Sequence, residues 1–303
     1  MTDGVRVRRL AGAPISWGVC EVPGWGRQLQ PERVFAEMTT IGLGATELGP
    51  VGYLPLDPAT LQDYLRSFHL HLVGGFVPLV LHEAELNGAR RRTEEMADLF
   101  AAVGADVFVA AIVQDDAWGT PRPLTDAEWD RMVAHLAEVD AMVSERGLRL
   151  AMHSHVGTLI ERDDAVQRLL ATSDVGWCLD TGHLLIGGTE PVDFVRRNGD
   201  RIVHVHLKDV DASLATRVRA GELSLVEATQ QGLFKPLGQG DARIAEVLRA
   251  LDDVGYERWL VLEQDTAITG PEPPDGDGPV LDVGRSIEYL TTLAPEEGEV
   301  SGP

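Results

Sequence analysis

Short apolar runs alternate with longer stretches of helical periodicity along most of the chain. The runs have the length of β-strands, and the stretches between them repeat apolar residues every three or four positions, as amphipathic helices do. This alternation predicts a parallel sheet with crossover helices, and eight repeats favour a closed barrel over a doubly wound sheet. We place the strands near residues 11–17, 44–48, 70–76, 106–113, 149–155, 175–180, 202–207 and 259–263.

Four apolar stripes mark the clearest helices between these strands. A stripe of this kind normally faces the core. Thr125 and Glu128 have the spacing of a capping box, which predicts that the helix after the fourth strand begins there. The stripes consist of Val34, Phe35, Met38 and Ile41; of Met96, Leu99, Phe100 and Val103; of Trp129, Met132, Val133, Leu136 and Val139; and of Ile244, Val247, Leu248 and Leu251.

Two segments interrupt this rhythm. Residues 209–240 form an insertion in the seventh unit, and the Gly and Pro content near its end predicts a loop that folds over the carboxyl ends of the strands as a lid. Residues 294–303 have the composition of a disordered acidic tail. We therefore expect an α/β protein with a single (β/α)8 TIM barrel over residues 1–293.

Composition excludes several classes of function. The net charge of -22 argues against nucleic-acid binding, because phosphate contacts need a basic surface. Cys20 and Cys178 are the only cysteines, the amino terminus lacks an apolar signal, and no apolar run approaches the roughly 18 residues that span a bilayer. We expect a cytoplasmic protein without disulfides or membrane association. A homo-oligomer is compatible with the sequence, which leaves the oligomeric state open.

The residues that carry chemistry are concentrated between His153 and Lys208, a stretch that contains five of the nine histidines. They form the motifs His-Ser-His, Asp-Thr-Gly-His and His-Val-His-Leu-Lys-Asp, each of which follows a short apolar run. The carboxyl ends of parallel barrel strands meet on one face of the barrel, where imidazoles and carboxylates can bind a divalent metal together. The pattern therefore indicates a metal-dependent enzyme.

One residue from each of four consecutive strands makes up the predicted ligand set. These residues are His155, Asp180, His206 and Glu263. An acid at the end of a fully apolar strand, such as Glu263, is costly to bury unless it is paired or binds a metal. A mixed nitrogen and oxygen set favours Mn²⁺ or Co²⁺, with Fe²⁺, Zn²⁺ and Mg²⁺ as alternatives, over Ca²⁺ or a thiolate zinc site. His204 is most simply a hydrogen-bonded core histidine.

Other residues on the same face are candidates for contacts with a substrate. Glu47, at the end of the second strand, could contact substrate hydroxyls or act as an acid or base, or be an exposed rim carboxylate. Trp17 could provide an apolar wall for a sugar ring, or belong to the core. Lys208 could donate to a developing oxyanion, or pair with Asp209. His153 is a further candidate for substrate contact.

Several of these motifs together resemble those of the xylose isomerase-like barrel superfamily of sugar isomerases and epimerases, and within it the inosose dehydratases. The resemblance implies that Asp180, His206 and Glu263 are metal ligands and that His183 contacts the substrate. It covers the barrel from the first strand to the last. The matching segments are Ala13-Pro-Ile-Ser-Trp-Gly18, Thr46-Glu-Leu-Gly-Pro50, Gly52-Tyr-Leu-Pro55, His153-Ser-His-Val-Gly-Thr158, Leu179-Asp-Thr-Gly-His183, His204-Val-His-Leu-Lys-Asp209 and Leu262-Glu-Gln-Asp265.

The fifth strand departs from that resemblance. The epimerases and isomerases of the superfamily carry there a glutamate that binds metal and moves a proton, whereas we assign that place to His155. A β-elimination instead needs a base for the proton next to a ketone and an acid for the departing hydroxyl. The departure favours a dehydratase that acts on a small polyhydroxy ketone such as 2-keto-myo-inositol. Glu263, Glu47 and His183 are the candidate bases, and Lys208 or a protonated imidazole would assist the leaving hydroxyl.

Three alternatives remain at this stage. An isomerase or epimerase of an inosose or ketose would use the same barrel and metal site, with His155 tolerated as a ligand. A non-catalytic barrel could bind a sugar or serve as a partner subunit. An endonuclease, suggested by other metal-dependent barrels of the superfamily, is disfavoured by the negative charge.

Overall fold

A closed barrel of eight parallel strands forms the centre of the protein. The structure is a computed structural model, and it describes residues 9–293. The strands are hydrogen-bonded in the order β1-β10-β7-β6-β5-β4-β3-β2, so that β10 closes the barrel against β1. They are β1 (Leu10–Gly12), β2 (Ala45–Glu47), β3 (His71–Leu79), β4 (Val107–Ile112), β5 (Arg149–His153), β6 (Trp177–Asp180), β7 (Ile202–Leu207) and β10 (Leu260–Leu262).

Helices surround the barrel and bury the predicted apolar stripes against the outer faces of the strands. Thr125 caps the helix after β4 in a capping box with Glu128, as predicted. The helices are α1 (Pro31–Thr40), α2 (Pro58–Ser67), α3 (Asn87–Val103), α4 (Asp126–Ser144), α5 (Asp163–Thr172), α6 (Thr181–Gly187), α7 (Pro191–Asn198), α8 (Ala212–Arg219), α9 (Leu225–Gln230), α10 (Ile244–Asp253) and α11 (Pro279–Leu293), with short 3-10 turns at Pro14–Trp17 and Gly199–Arg201. The predicted TIM barrel is confirmed.

Two predicted strands are shorter than expected. The first ends at Gly12, because Pro14 starts a 3-10 turn. Proline is favoured at the start of such a turn, since its fixed φ is compatible with the turn and no N–H partner is required there. The fifth ends at His153, after which the chain turns and the His155 N–H bonds to the Ile160 carbonyl at 3.3 Å. Trp17 and His155 therefore lie in turns rather than in strands.

The insertion at 209–240 contains two short helices, which corrects the prediction of a loop for most of its length, whereas residues 236–240 at its end form turns. The short antiparallel strands β8 (Asp209–Val210) and β9 (Phe234–Lys235) pair at its base, and α8 and α9 lie between them. Leu225 and Val226 of this insertion line the cavity described below. Together with Ile186 of α6, the insertion forms a small hydrophobic core that is separate from the main one and consists of Ile186, Val210, Ala215, Val218, Ala228, Leu233 and Phe234.

Some predictions lie partly outside the described residues. The acidic tail at 294–303 is outside them, and the limits of the single domain over 1–293 remain a prediction. Within residues 9–293, no helix is long and apolar enough to cross a membrane.

Candidate metal centre

Four side chains converge at the carboxyl ends of β5, β6, β7 and β10. They are His153, Asp180, His206 and Glu263, and one nitrogen or oxygen atom from each lies within 4.8 Å of the others. The register of the sheet produces this convergence, because Asp180 pairs with His206 on the neighbouring strand and both point into the barrel. Two imidazoles and two carboxylates are thus brought to one point.

The distances between these atoms suit a bound metal. Nδ1 of His206 lies 2.5 Å from Oε2 of Glu263 and 3.2 Å from Nε2 of His153. Oδ2 of Asp180 lies 3.3 Å from Nε2 of His153. Metal–ligand bonds of about 2.1 Å separate neighbouring ligand atoms by about 3 Å or slightly more. The ligand atoms of His153, Asp180 and His206 have this spacing, at 3.2–3.5 Å from one another, whereas the 2.5 Å contact of His206 with Glu263 is shorter and would lengthen around an ion.

Unsatisfied atoms provide an independent test of that fit. Asp180 Oδ2 and Glu263 Oε2 are buried and have no hydrogen bond of acceptable geometry, although Nδ1 of His206 and, at 3.4 Å, the single positive charge of Lys208 lie close to both. Buried carboxylate oxygens without a donor are costly unless a cation compensates them. Asp180 is satisfied on its other side, where Oδ1 accepts the backbone N–H of His183 at 2.7 Å and caps α6. The free oxygens face the cluster, so the residues fit a divalent metal.

The predicted ligand set is corrected at the fifth strand. His153, which we predicted to contact substrate, supplies the fifth-strand nitrogen of the cluster, and His155 lies outside it. The strand ends at His153, and Nδ1 of His155 instead donates to the Val156 carbonyl at 2.7 Å. His155 stacks against His183, with ring centroids 3.8 Å apart. Burial lowers the pKa of His155 to about 3, so this imidazole is neutral.

Glu47 is buried between two imidazoles rather than exposed at the rim. Its Oε1 lies 2.8 Å from Nε2 of His204 and 3.0 Å from Nε2 of His206. Burial alone would raise the pKa of Glu47, but the charge of His206 and the hydrogen bonds from both imidazoles lower it below its usual range. Glu47 is therefore an anion that joins β2 to β7 across the barrel.

Lys208 is fully buried beside the cluster, where it contacts three carboxylates. Its Nζ lies 2.7 Å from Asp265 Oδ1 and 3.4 Å from both Asp180 Oδ2 and Glu263 Oε2. Burial alone would lower the pKa of Lys208, but these carboxylates raise it above its usual value. Asp209, the alternative partner from the sequence, instead accepts backbone N–H groups of residues 238, 240 and 242. The ammonium is thus part of the site.

Asp265 is a site residue that the sequence analysis did not assign to a role. It lies two positions after Glu263, lines the cavity and is buried. Burial raises its pKa to about 7, although Lys208 opposes this. The signal available in the sequence was a second acid, in Glu-Gln-Asp, directly after an apolar strand. His183, also buried, lies 3.1 Å from the Lys208 Nζ through its Nε2, and burial lowers the pKa of His183 well below its usual value.

A cavity of about 850 Å³ opens above the cluster, within the usual range for small-molecule sites. Glu47, His153, Glu263 and Asp265 line its polar side. Trp17 does not line it, which corrects the predicted sugar wall: the indole is fully buried and donates to Glu37 at 2.8 Å. The aromatic side chains that do line the cavity are Trp25, Phe76 and Trp118.

Trp118 reaches the cavity from a strained turn. Its φ of 58° is rare for a residue other than glycine, and its ring stacks on Phe76 with an interplanar angle of 16°. Asp115 stabilises the turn by accepting the backbone N–H groups of Ala117 and Gly119, each at 2.9 Å. The apolar wall that we predicted at Trp17 is therefore available at Trp118.

Comparison with known proteins agrees with this architecture. Residues 35–291 match the model of the family described as xylose isomerase-like TIM barrel. The chain belongs to this family. Solved structures share the fold, among them an IOLI protein with a bound zinc atom (TM-score 0.67, 16% identity, 94% of this chain and 97% of that chain) and an L-ribulose 3-epimerase (TM-score 0.68, 16% identity, 94% of each chain).

Curated relatives within the family are more similar in sequence. An inosose dehydratase of Geobacillus kaustophilus is 31% identical over 286 residues, which cover 89% of this chain and 92% of the relative. The rhizopine catabolism protein MocC of Rhizobium meliloti is 32% identical over 299 residues, which cover 96% and 90%. The chain is an enzyme of this family.

Proposed function

We propose that the protein is a metal-dependent dehydratase that removes water from a keto-inositol, with 2-keto-myo-inositol as the first substrate to test. The observation that carries the proposal is the buried group of His153, Asp180, His206 and Glu263 at the base of the cavity. The inosose dehydratase relatives support the substrate class, because their similarity extends over most of the chain.

The four clustered side chains would hold the metal. When bound there, a divalent ion would supply Lewis acidity that stabilises negative charge on the ketone oxygen as the neighbouring proton leaves. We propose Mn²⁺ or Co²⁺, with Fe²⁺, Zn²⁺ and Mg²⁺ as alternatives, since two imidazoles and two carboxylates suit these ions better than Ca²⁺.

Glu263 is the base that the geometry favours. It lines the cavity, and the charges of His206 and Lys208 lower its pKa although burial opposes this, so the carboxylate is ionised and able to accept a proton. Glu47 and His183, the other predicted bases, are less available. Oε1 of Glu47 is hydrogen-bonded to two imidazoles, and Nε2 of His183 faces the Lys208 ammonium.

Lys208 and Asp265 form the other half of the proposed chemistry. The Lys208 ammonium is held charged by its carboxylate neighbours, so it stabilises a developing oxyanion better than it donates a proton. Asp265 lines the cavity beside it and lies 2.7 Å away. We assign to Asp265 the delivery of a proton to the departing hydroxyl, which then leaves as water.

The side chain at the end of the fifth strand supports elimination over epimerisation. The epimerases that the sequence resembles use two glutamates, one on each side of the substrate, whereas the fifth-strand side chain of this cluster is His153. One carboxylate base together with a separate acid suits an elimination better than a symmetric proton exchange.

The test is to incubate the metal-loaded protein with 2-keto-myo-inositol in deuterated water and to follow the product by mass spectrometry. We expect a product lighter by one water, and no such product from the chelated enzyme or from His206→Ala. Deuterium uptake without loss of water would replace the proposal with an isomerase or epimerase. Binding of the sugar by His206→Ala as by the wild type, in a protein that contains no metal, would indicate a non-catalytic barrel.

A further inference from the structure

Glu47 and His204, which have no role in the proposed reaction, form a buried hydrogen-bonded group with the metal-cluster residue His206. Glu47 is 4% exposed, and His204 and His206 are each 1% exposed. The group connects β2 to β7 across the interior of the barrel, and both imidazoles approach the same carboxylate oxygen, at 2.8 and 3.0 Å. These contacts hold side chains that are 157 and 159 positions apart in the sequence.

The donors in this group follow from the chemistry of the carboxylate. An ionised carboxylate only accepts hydrogen bonds, so each imidazole must donate through the Nε2 that faces it. A metal binds the neutral form of His206, and with the proton on Nε2 held by Glu47 the nitrogen that loses its proton and remains for a metal is Nδ1. That atom is the one that faces the cluster, 2.5 Å from Glu263 Oε2 and 3.2 Å from His153 Nε2. The contact with Glu47 therefore selects the tautomer and the ring orientation that a ligand requires.

His204 has a different role, since it contacts Glu47 and does not belong to the metal cluster. It contributes no atom to the cluster of His153, Asp180, His206 and Glu263, and its Nε2 contacts the carboxylate of Glu47. Glu47 is thus held by one imidazole while it orients the other. This explains why a second histidine, two residues before the ligand on the same strand and on the same face, is buried in the barrel.

We propose that Glu47, anchored by His204, is a positioning residue that fixes His206 for metal binding. The inference rests on the metal centre of the proposed function. It replaces the roles in catalysis and substrate contact that the sequence suggested for Glu47. Carboxylates that orient a metal-binding histidine typically contribute about 10- to 100-fold to metal affinity.

The decisive variant is Glu47→Asp, which keeps the charge but shortens the side chain by one methylene. We expect it to weaken binding of Mn²⁺ to the metal-free protein by about 10- to 100-fold in calorimetric titration, and Glu47→Gln to do the same. The matched controls are Glu83→Asp and Glu83→Gln, which make the same changes at an exposed glutamate and should leave the dissociation constant unchanged. His204→Leu keeps the carboxylate but removes its anchor, and we expect a smaller loss of affinity.

Thermal unfolding of the metal-free variants separates positioning from a structural role. A structural role predicts a lower melting temperature with an unchanged dissociation constant below it, and that result would overturn the proposal. Wild-type affinity in Glu47→Asp with weak binding only in Glu47→Gln would also overturn it, because charge alone would then explain the effect. If the wild type binds none of the candidate metals, both this role and the metal centre fail, whereas wild-type binding with unaffected variants removes only this inference.

Discussion

His153 and His155 are separated by a single serine, yet their environments differ. In a continuing strand both would point to the same face, so the alternation of side chains could not choose between them. The choice depends on where β5 ends, and that is set by the turn after His153, in which the backbone of His155 bonds to Ile160 and to Thr158. The sequence predicted three of the four clustered residues and missed this one because it does not encode the strand end clearly.

Alanine variants of the two histidines should differ in metal binding. His153→Ala should lower the affinity for Mn²⁺ by more than about 100-fold, since it removes a ligand rather than a residue that orients one. His155→Ala should retain the metal, because its imidazole lies outside the cluster. Metal content after dialysis against a fixed concentration of free Mn²⁺ measures both. Loss of metal in His155→Ala alone would restore the ligand set that the sequence suggested.

Lys208 gives the second prediction. Lys208→Met should lower kcat by about 10²- to 10³-fold, as expected when a donor to a developing oxyanion is removed. It should also destabilise the metal-free protein by about 3–5 kcal/mol, because three buried carboxylates lose their counterion.

The control for this variant is Lys235→Met, at the other lysine of the chain, which is half-buried and lies 3.8 Å from Asp211. Steady-state kinetics and denaturant unfolding of the two variants provide the comparison. Equal kcat values in the two variants would remove Lys208 from the chemistry.

At the scale of secondary structure, the apolar runs located all eight barrel strands, because a strand buried on both faces must be apolar throughout. They did not locate the strand ends. Pro14 stops the first strand through local backbone geometry. The helices of the insertion were also missed, because they are short and their apolar residues pack with Ile186 of α6 in a cluster that is separate from the main core. Short helices of this kind carry little periodic signal.

Gly182 shows how closely one element depends on another. It lies in the first turn of α6, and a Cβ atom there would meet the aliphatic part of the Lys208 side chain at 2.7–2.9 Å. Gly182→Ala should therefore displace Lys208 and lower kcat by about 10- to 100-fold, the usual cost of a displacement of about 1 Å. Gly284→Ala, where a Cβ meets nothing within 4 Å, is the matched control. Equal kcat values would show that Lys208 accommodates the methyl group.

The small core of the insertion gives a prediction about local stability. Leu233 is fully buried in it, and Leu233→Ala should cost about 2–5 kcal/mol. We expect this cost to appear as faster hydrogen exchange in residues 211–233 rather than throughout the barrel, since this core is separate from the main one and is shared only with α6. Leu136→Ala, in the main core, should instead lower the stability of the barrel. A uniform increase in exchange for Leu233→Ala would show that the insertion does not open separately.

At the scale of the whole molecule, the barrel brings residues from distant parts of the sequence to one cavity. The net charge of -22 produces a negative electrostatic potential around the protein. Such a field attracts divalent cations and disfavours anionic substrates. A neutral polyhydroxy ketone together with a bound metal is consistent with both effects. Charge and fold class could be predicted from composition and periodicity, whereas the contacts of Glu47 and Asp265 required the folded barrel.

A titration of the metal-free enzyme with Mn²⁺, during which the loss of water from 2-keto-myo-inositol is measured, tests whether the cluster is a catalytic metal centre. We predict that the rate rises with occupancy and reaches its maximum near one metal per chain, and that His206→Ala does not respond. A metal-free enzyme that removes water as fast as the loaded one would contradict the central claim that the cluster of His153, Asp180, His206 and Glu263 is a catalytic metal centre.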